Sequence, residues 1–211
     1  MKKKVLSLLL AVVMTFSLAV TANAAEETAQ DLDGDIVILH TNDVHGAISG
    51  YAKVAALKDA YEARGAYVLL MDAGDFIQGD PTVSTSEGAT AVELMNLAGY
   101  DVASMGNHEF DYGMDNFLSL AKEKAEYTYL CCNFTDLEGK AVLDAYKVVD
   151  YGDVSVGYVG IDTPESFTKS TPAYFMNAKQ TKYIYDILGG DDGRKLNEAL
   201  RARPFPDQRE Q

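Results

Sequence analysis

The chain has 211 residues, 47% of them hydrophobic and 24% charged, with two cysteines, which is apolar material for one sizeable domain and excludes a disordered, collagen-like or disulfide-scaffold protein. Eighteen Lys and Arg against 32 Asp and Glu give a formal charge of -14, the wrong sign for neutralising nucleic-acid phosphates, so general DNA or RNA binding is excluded. Phosphate chemistry on such a surface requires local cations, either a basic pocket or bound metal.

Lys2, Lys3 and Lys4 precede an apolar run from Val5 to Val20 and then Ala22-Asn23-Ala24. This is the pattern of a signal peptide over residues 1–24 cleaved after Ala24. The rival reading is an uncleaved membrane anchor, but the run is short for a span and contains Ser7, Thr15 and Ser17. Cleavage removes three Lys and no acid, taking the formal charge from -14 to -17. No later segment approaches transmembrane length, and no cysteine follows the cleavage site to accept a lipid. The expected location is periplasmic, cell-envelope or extracellular.

Residues 25–35 are polar and acidic. Asp31-Leu-Asp33-Gly-Asp35 begins like a calcium loop, but an EF-hand would need Gly at Ile36 and Glu at Asn42, so the segment reads as a solvated leader. Ile36-Val37-Ile38-Leu39 is an unbroken apolar run of strand length, of the kind buried on both faces, and it ends in the polar cluster His40 to Gly46. Val54, Leu57 and Tyr61 fall at helical spacing between Tyr51 and Arg64, with Gly65 as the stop. Tyr67 to Met71 forms a second apolar run leading into Asp72-Ala-Gly74-Asp75. Thr90 to Ala98 reads as a helix closed by Gly99, and Val102 to Met105 as a short strand ending at Gly106-Asn107-His108-Glu109. A helix across Asp115 to Lys124 and a strand from Tyr127 to Cys132, ending at Asn133, follow.

Four strands thus end in polar loops that lead to helices, the signature of an α/β layer fold whose ligands bind beyond the carboxyl ends of the strands. Beyond Lys140 the rhythm changes: Ala141 to Asp150 and Asp153 to Ile161 flank Tyr151-Gly152, which predicts an antiparallel hairpin.

Three strand ends supply Asp43 with His45, then Asp75, then Asn107 with His108 and Asp111, all oxygen or imidazole donors. Ends of neighbouring strands converge, so these residues are able to meet around a metal ion. In a locally extended Asp43-Val-His45 both donors face one side. Gly74 and Gly106 permit a sharp turn just before each later donor. A carboxylate such as Asp75 bridges two cations, and such a pair suits in-line phosphoryl displacement. Asp72, Asn42 and Asn133 read as caps and turn formers, His40 as a packed or hydrogen-bonded histidine, and Cys131 and Cys132 as buried thiols rather than a strained vicinal bridge. No Walker loop, dinucleotide fingerprint or Gly-x-Ser-x-Gly elbow is present.

The stretches Ile-Leu-His-Thr-Asn-Asp43-Val-His45-Gly, Asp-Ala-Gly-Asp75-Phe and Gly-Asn107-His108-Glu-Phe-Asp111 resemble, in order and spacing, the metallophosphoesterase motifs of the 5′-nucleotidase family. Weaker likeness runs through Cys-Cys-Asn133-Phe, Val-Gly-Ile161-Asp-Thr-Pro-Glu165 and Tyr183 to Gly190, covering roughly Asp35 to Gly193. The resemblance implies a calcineurin-like α/β sandwich, a partial four-layer αββα arrangement with a mixed sheet, over residues 36–193. It implies that Asp43 and His45 bind one divalent ion, that Asp75 bridges two, and that Asn107 binds the second, the ions being Mn, Zn, Co or Mg. His108 would sit beside the phosphate, stabilising charge or assisting the leaving group, with Asp111 orienting it and favouring its charged form.

The implied activity is hydrolysis of nucleotide phosphate monoesters to nucleoside and phosphate, with 2′,3′-cyclic nucleotides or nucleotide sugars as alternative substrates. The family completes its dinuclear site with two further histidines, one in a Gly-His-x-His motif, whereas this chain contains only His40, His45 and His108. Its base-holding C-terminal domain also has no counterpart. Four of the five arginines crowd into residues 194–211. Together these predict a truncated, catalytically incomplete chain with a divergent basic tail that binds metal loosely; an ordinary basic helix from Lys195 to Arg203 is the other reading of the tail.

Overall fold

The computed structural model describes residues 31–177, 179 and 183–187. The expected signal peptide, most of the acidic leader and the tail over 194–211 lie outside the described residues. Among those described, no helix is long and apolar enough to cross a membrane.

Four parallel strands, β1 (Ile36–Thr41), β2 (Tyr67–Asp72), β3 (Val102–Ala103) and β4 (Thr128–Tyr129), form one sheet in the order β1-β2-β3-β4. β1 and β2 pair from Ile36 with Tyr67 to Thr41 with Asp72. The connections carry α1 (Tyr51–Glu62), α2 (Pro81–Thr85), α3 (Ala89–Ala98) and α4 (Met114–Ser119), the last running into a wider turn over Leu120–Lys124. Asp80 caps α2 by accepting the Thr82 N–H at 2.8 Å, with Pro81 at the first helical position. Gly99 closes α3 with φ 74°, the left-handed stop that the sequence predicts there.

Strand order that follows chain order has a consequence for layering. Right-handed crossovers between sequence-adjacent parallel strands all deliver their helices to the same face. Alternation along the strands records this: Leu70, Ala103 and Tyr129 join the helix-side core with Phe76, Val92, Met95, Phe110 and Phe117. Leu69, Val102 and Leu130 form a second cluster with Tyr151 and Tyr158 on the opposite face. Tyr151 and Tyr158 belong to the antiparallel hairpin β6 (Tyr146–Tyr151) and β7 (Val154–Val159), so one sheet face is covered by helices and the other by strands. The predicted hairpin is present, although β6 begins five residues later than the sequence suggests. β5 (Phe134–Asp136) pairs antiparallel with β8 (Tyr185–Ile187), and α5 (Ser166–Lys169) lies between them in the chain.

Two expectations change. Among the described residues β1 lies at the edge of its sheet and is not buried on both faces, and Ile38 is 47% exposed. The strand predicted over Val102 to Met105 pairs only at Val102 and Ala103, because the chain leaves the sheet to enter the Gly106 loop. The end of the leader is also tied to the domain: Leu32 is 9% exposed and its N–H donates to the Arg64 carbonyl at 2.9 Å. Cys131 and Cys132 are buried thiols, as expected.

Candidate metal centre

The loops that leave β1, β2 and β3 stand side by side because their strands are neighbours in parallel register. Hydrogen bonding between the first two continues past the sheet: Ala73 N–H donates to Thr41 (3.0 Å), Asp43 N–H to Gly74 (3.1 Å) and His45 N–H to Asp75 (3.1 Å). Asp43 and His45 are nevertheless not extended. Their φ values are 51° and 44°, and Asp75 has φ 63°; with Glu87 these are the described non-glycine residues in the left-handed region. Three of the four are candidate ligands, and strain of this kind persists only where surrounding bonds over-determine it. The donors meet through this twist rather than through strand alternation. Asp43 Oδ1 lies 3.5 Å from His45 Nε2.

His45, Asp75 and His108 each present a ligand atom within 4.8 Å of the other two. The imidazole rings of His45 and His108 approach edge to face, with centroids 5.1 Å apart. His108 Nδ1 is 2.7 Å from Asp111 Oδ2, which fixes the ring and leaves Nε2 as its other nitrogen for a ligand. The Gln78 side-chain amide meets His45 Nδ1, and an amide carries both a donor and an acceptor, so it serves either tautomer. Two imidazoles and a carboxylate are a donor set suited to a borderline divalent ion, and the geometry fits one. Asp43 stands beside His45 but outside the three-donor group. Asn107 opens the 3-10 turn Asn107–Phe110, half-buried next to His108. His108, predicted to sit beside phosphate, stands among the ligand donors, where the imidazole is placed for either role.

Gly74 and Gly106 are required by space. A Cβ on Gly106 would overlap the Asp75 carboxylate, and one on Gly74, whose φ is 104°, would run into the Gly106 backbone. Gly106 itself is extended (φ -117°, ψ -168°), so its role is close approach rather than the sharp turn predicted for it.

Buried acids hold the loops. Asp72 Oδ1 accepts the Gly74 N–H at 2.7 Å and its Oδ2 accepts the Thr41 hydroxyl at 2.5 Å, while Thr41 also meets the Tyr100 hydroxyl at 2.8 Å. Glu109, 0% exposed, accepts the N–H groups of Asp75 (2.8 Å), Phe76 (3.1 Å) and Gly106 (2.5 Å). Burial pushes Asp72 and Glu109 each up to about 7, against the hydrogen bonds that hold them down. Asp162 is likewise raised by burial to about 7, with its carboxylate on the Ser166 hydroxyl (2.8 Å) and the Thr163 N–H (2.8 Å). Asn133, read from sequence as a turn former, exchanges two bonds with the Asp162 backbone, at 2.7 and 3.0 Å.

Sequence reasoning missed Gln78 and Glu109. Glu109 had a signal, since it lies inside a recognised motif between the candidate site residue His108 and an apolar Phe110. Gln78 had none, being an ordinary polar residue in a loop.

Residues 36–204 match the family model described as calcineurin-like phosphoesterase. Curated relatives include a snake venom 5′-nucleotidase of Gloydius brevicauda, 31% identical over 165 residues, covering 67% of this chain and 28% of the relative. Protein UshA of Escherichia coli (strain K12) is 29% identical over 210 residues, covering 94% of this chain and 36% of that one. This chain therefore spans about a third of the length of these relatives. Among solved structures, a 5′-nucleotidase precursor from Thermus thermophilus superposes with a TM-score of 0.62 at 25% identity, covering 78% of this chain and 34% of that one. The calcineurin-like phosphoesterase YfkN from Bacillus subtilis shares the fold at 22% identity with a TM-score of 0.61, covering 78% and 57%. The motif-bearing loops, their convergence at three strand ends and these matches give one conclusion: the chain belongs to the calcineurin-like phosphoesterase family, among relatives that are 5′-nucleotidases.

Proposed function

We propose that this chain is an exported, divalent-metal-dependent phosphoesterase of the 5′-nucleotidase type, acting on nucleotide phosphate monoesters. The observation that carries the reading is the meeting of His45, Asp75 and His108 within 4.8 Å at the ends of three adjacent parallel strands. In this reading Asp43, His45, Asp75 and Asn107 hold metal together with His108, which Asp111 orients and which also faces the phosphate. Divalent metal bound there supplies charge neutralisation and Lewis acidity. The protein's own work is positional: Asp111 fixes the His108 ring, Gln78 fixes His45, and the strained Asp75 presents its carboxylate to the same cluster as the two imidazoles. The Lys2 to Ala24 pattern supports export, and a venom 5′-nucleotidase among the relatives agrees with it.

A second reading, metal binding without turnover, is favoured by the size of the cluster: His45, Asp75 and His108 converge as a donor set for a single ion.

Phosphate release from AMP, with ring opening of 2′,3′-cyclic AMP to the nucleoside monophosphate followed in parallel, tests both readings in manganese, zinc, cobalt or magnesium. Release that disappears in His108→Ala supports the esterase. Metal binding with no release under any ion supports the second reading.

A further inference from the structure

The buried carboxylate of Glu109 is not one of the three clustered donors, but it bonds to both of the loops that carry Asp75 and His108. It is rooted in the loop after β3, yet two of its three hydrogen bonds are to consecutive N–H groups of the loop after β2, those of Asp75 and Phe76. The third is to Gly106 in its own loop. In return, Asp75 Oδ1 accepts the N–H of His108 at 2.8 Å. The two loops therefore exchange carboxylates: Glu109 holds the backbone of Asp75, and Asp75 holds the backbone of His108. At the same time the φ of 63° at Asp75 is a conformation that an L-residue leaves unless it is held. The Phe76 side chain, 0% exposed, anchors one end of this exchange in the helix-side core, and Phe110, also 0% exposed, anchors the other.

From this geometry we infer that Glu109 is a positioning residue for the metal centre, clamping the Asp75 and His108 loops together so that both ligands are presented before an ion arrives. The inference rests on the metal-site reading above. A carboxylate with three N–H donors is satisfied on both oxygens. An isosteric amide keeps the shape but turns an NH2 group toward one of those donors. The loss falls on the loop carrying Asp75, so it appears as weaker metal binding and not only as lower stability. Outer partners of metal ligands commonly change affinity by about 10- to 100-fold.

The test is calorimetric titration of the purified chain with Zn2+, comparing wild type, Asp75→Asn, Glu109→Gln and Tyr158→Phe. Tyr158→Phe removes a hairpin hydroxyl bonded to Tyr151 at 2.9 Å, far along the chain from the ligand loops, and serves as the control for lost stability. The expected result is Zn2+ affinity at least about tenfold weaker in Glu109→Gln, with far-UV circular dichroism retained, and unchanged affinity in Tyr158→Phe. Wild-type binding that Asp75→Asn abolishes but Glu109→Gln leaves intact overturns the clamp alone. Wild-type chain that takes no Zn2+, or takes it equally well as Asp75→Asn, overturns the metal-site reading and the clamp with it.

Should Glu109→Gln not fold, amide exchange on the wild type decides. The clamp requires the Asp75, Phe76 and Gly106 amides to share one protection level and to gain protection together when Zn2+ is added. Independent protection of the three overturns it.

Discussion

Asp111 Oδ2 accepts a hydrogen bond from His108 Nδ1 at 2.7 Å, three residues back in the chain, while the Asp111 carbonyl accepts the Tyr174 hydroxyl at 3.1 Å. A chain segment beyond the hairpin thus reaches back to brace the group that orients the imidazole. Asp111→Ala frees the ring and is expected to weaken Zn2+ binding and any AMP hydrolysis by about tenfold or more, with the fold intact. Calorimetry and a phosphate-release assay on the same preparation check it. Unchanged affinity and unchanged release would remove Asp111 from the site.

Gly106→Ala places a methyl group where the Asp75 carboxylate lies. The expected cost is about 1–3 kcal/mol of stability, together with loss of Zn2+ binding because Asp75 has to move. Urea denaturation with and without Zn2+ measures both. Gly50→Ala, where no atom lies within 4 Å of the added carbon, is the matched control and leaves Zn2+ binding unchanged.

Asp162 provides the pH prediction. Burial raises its folded pKa from 3.8 to about 7. The folded chain therefore binds a proton that the unfolded chain has released between those values, so this contribution to stability is fully present below about pH 4 and is lost as pH rises through about 7. Asp162→Asn removes the group from the balance. Its thermal midpoint is expected to fall less than that of wild type between about pH 5 and pH 8, the remaining slope coming from Asp72 and Glu109, which are raised in the same direction. Parallel pH profiles for the two proteins would contradict the assignment.

His40 is exposed at the edge of the sheet, on the opposite side of β1 from Thr41 and Leu39. His40→Ala is expected to leave Zn2+ affinity and AMP hydrolysis unchanged, in contrast to His45→Ala, which removes a donor of the cluster. A tenfold loss in His40→Ala would place a third imidazole in the centre.

Much of the fold was legible because the signals were local. Apolar runs at Ile36 and Tyr67, helical spacing from Val54 to Tyr61, and the left-handed stop at Gly99 depend on residues a few positions apart, and each element stands within a few residues of its expected place. What failed were inferences about neighbours. An apolar run reads the same in an edge strand as in a central one, so Ile36 to Leu39 did not reveal that Ile38 is half exposed. Asp43-Val-His45 was expected to be extended, but its hydrogen bonds to Gly74 and Asp75 hold both donors at positive φ.

By itself the sequence determined the donor types, their order and the strand ends that carry them, because the motifs place Asp43, His45, Asp75, Asn107, His108 and Asp111 in loops after apolar runs. Only the tertiary structure decided which of them meet. Parallel register brings three loops, well separated in the chain, to one edge, and the backbone N–H groups of Asp75, Phe76 and Gly106 then require a buried acceptor, which Glu109 supplies. That requirement arises from the burial of backbone polar groups away from water, a condition created when the loops pack and absent from the unfolded chain.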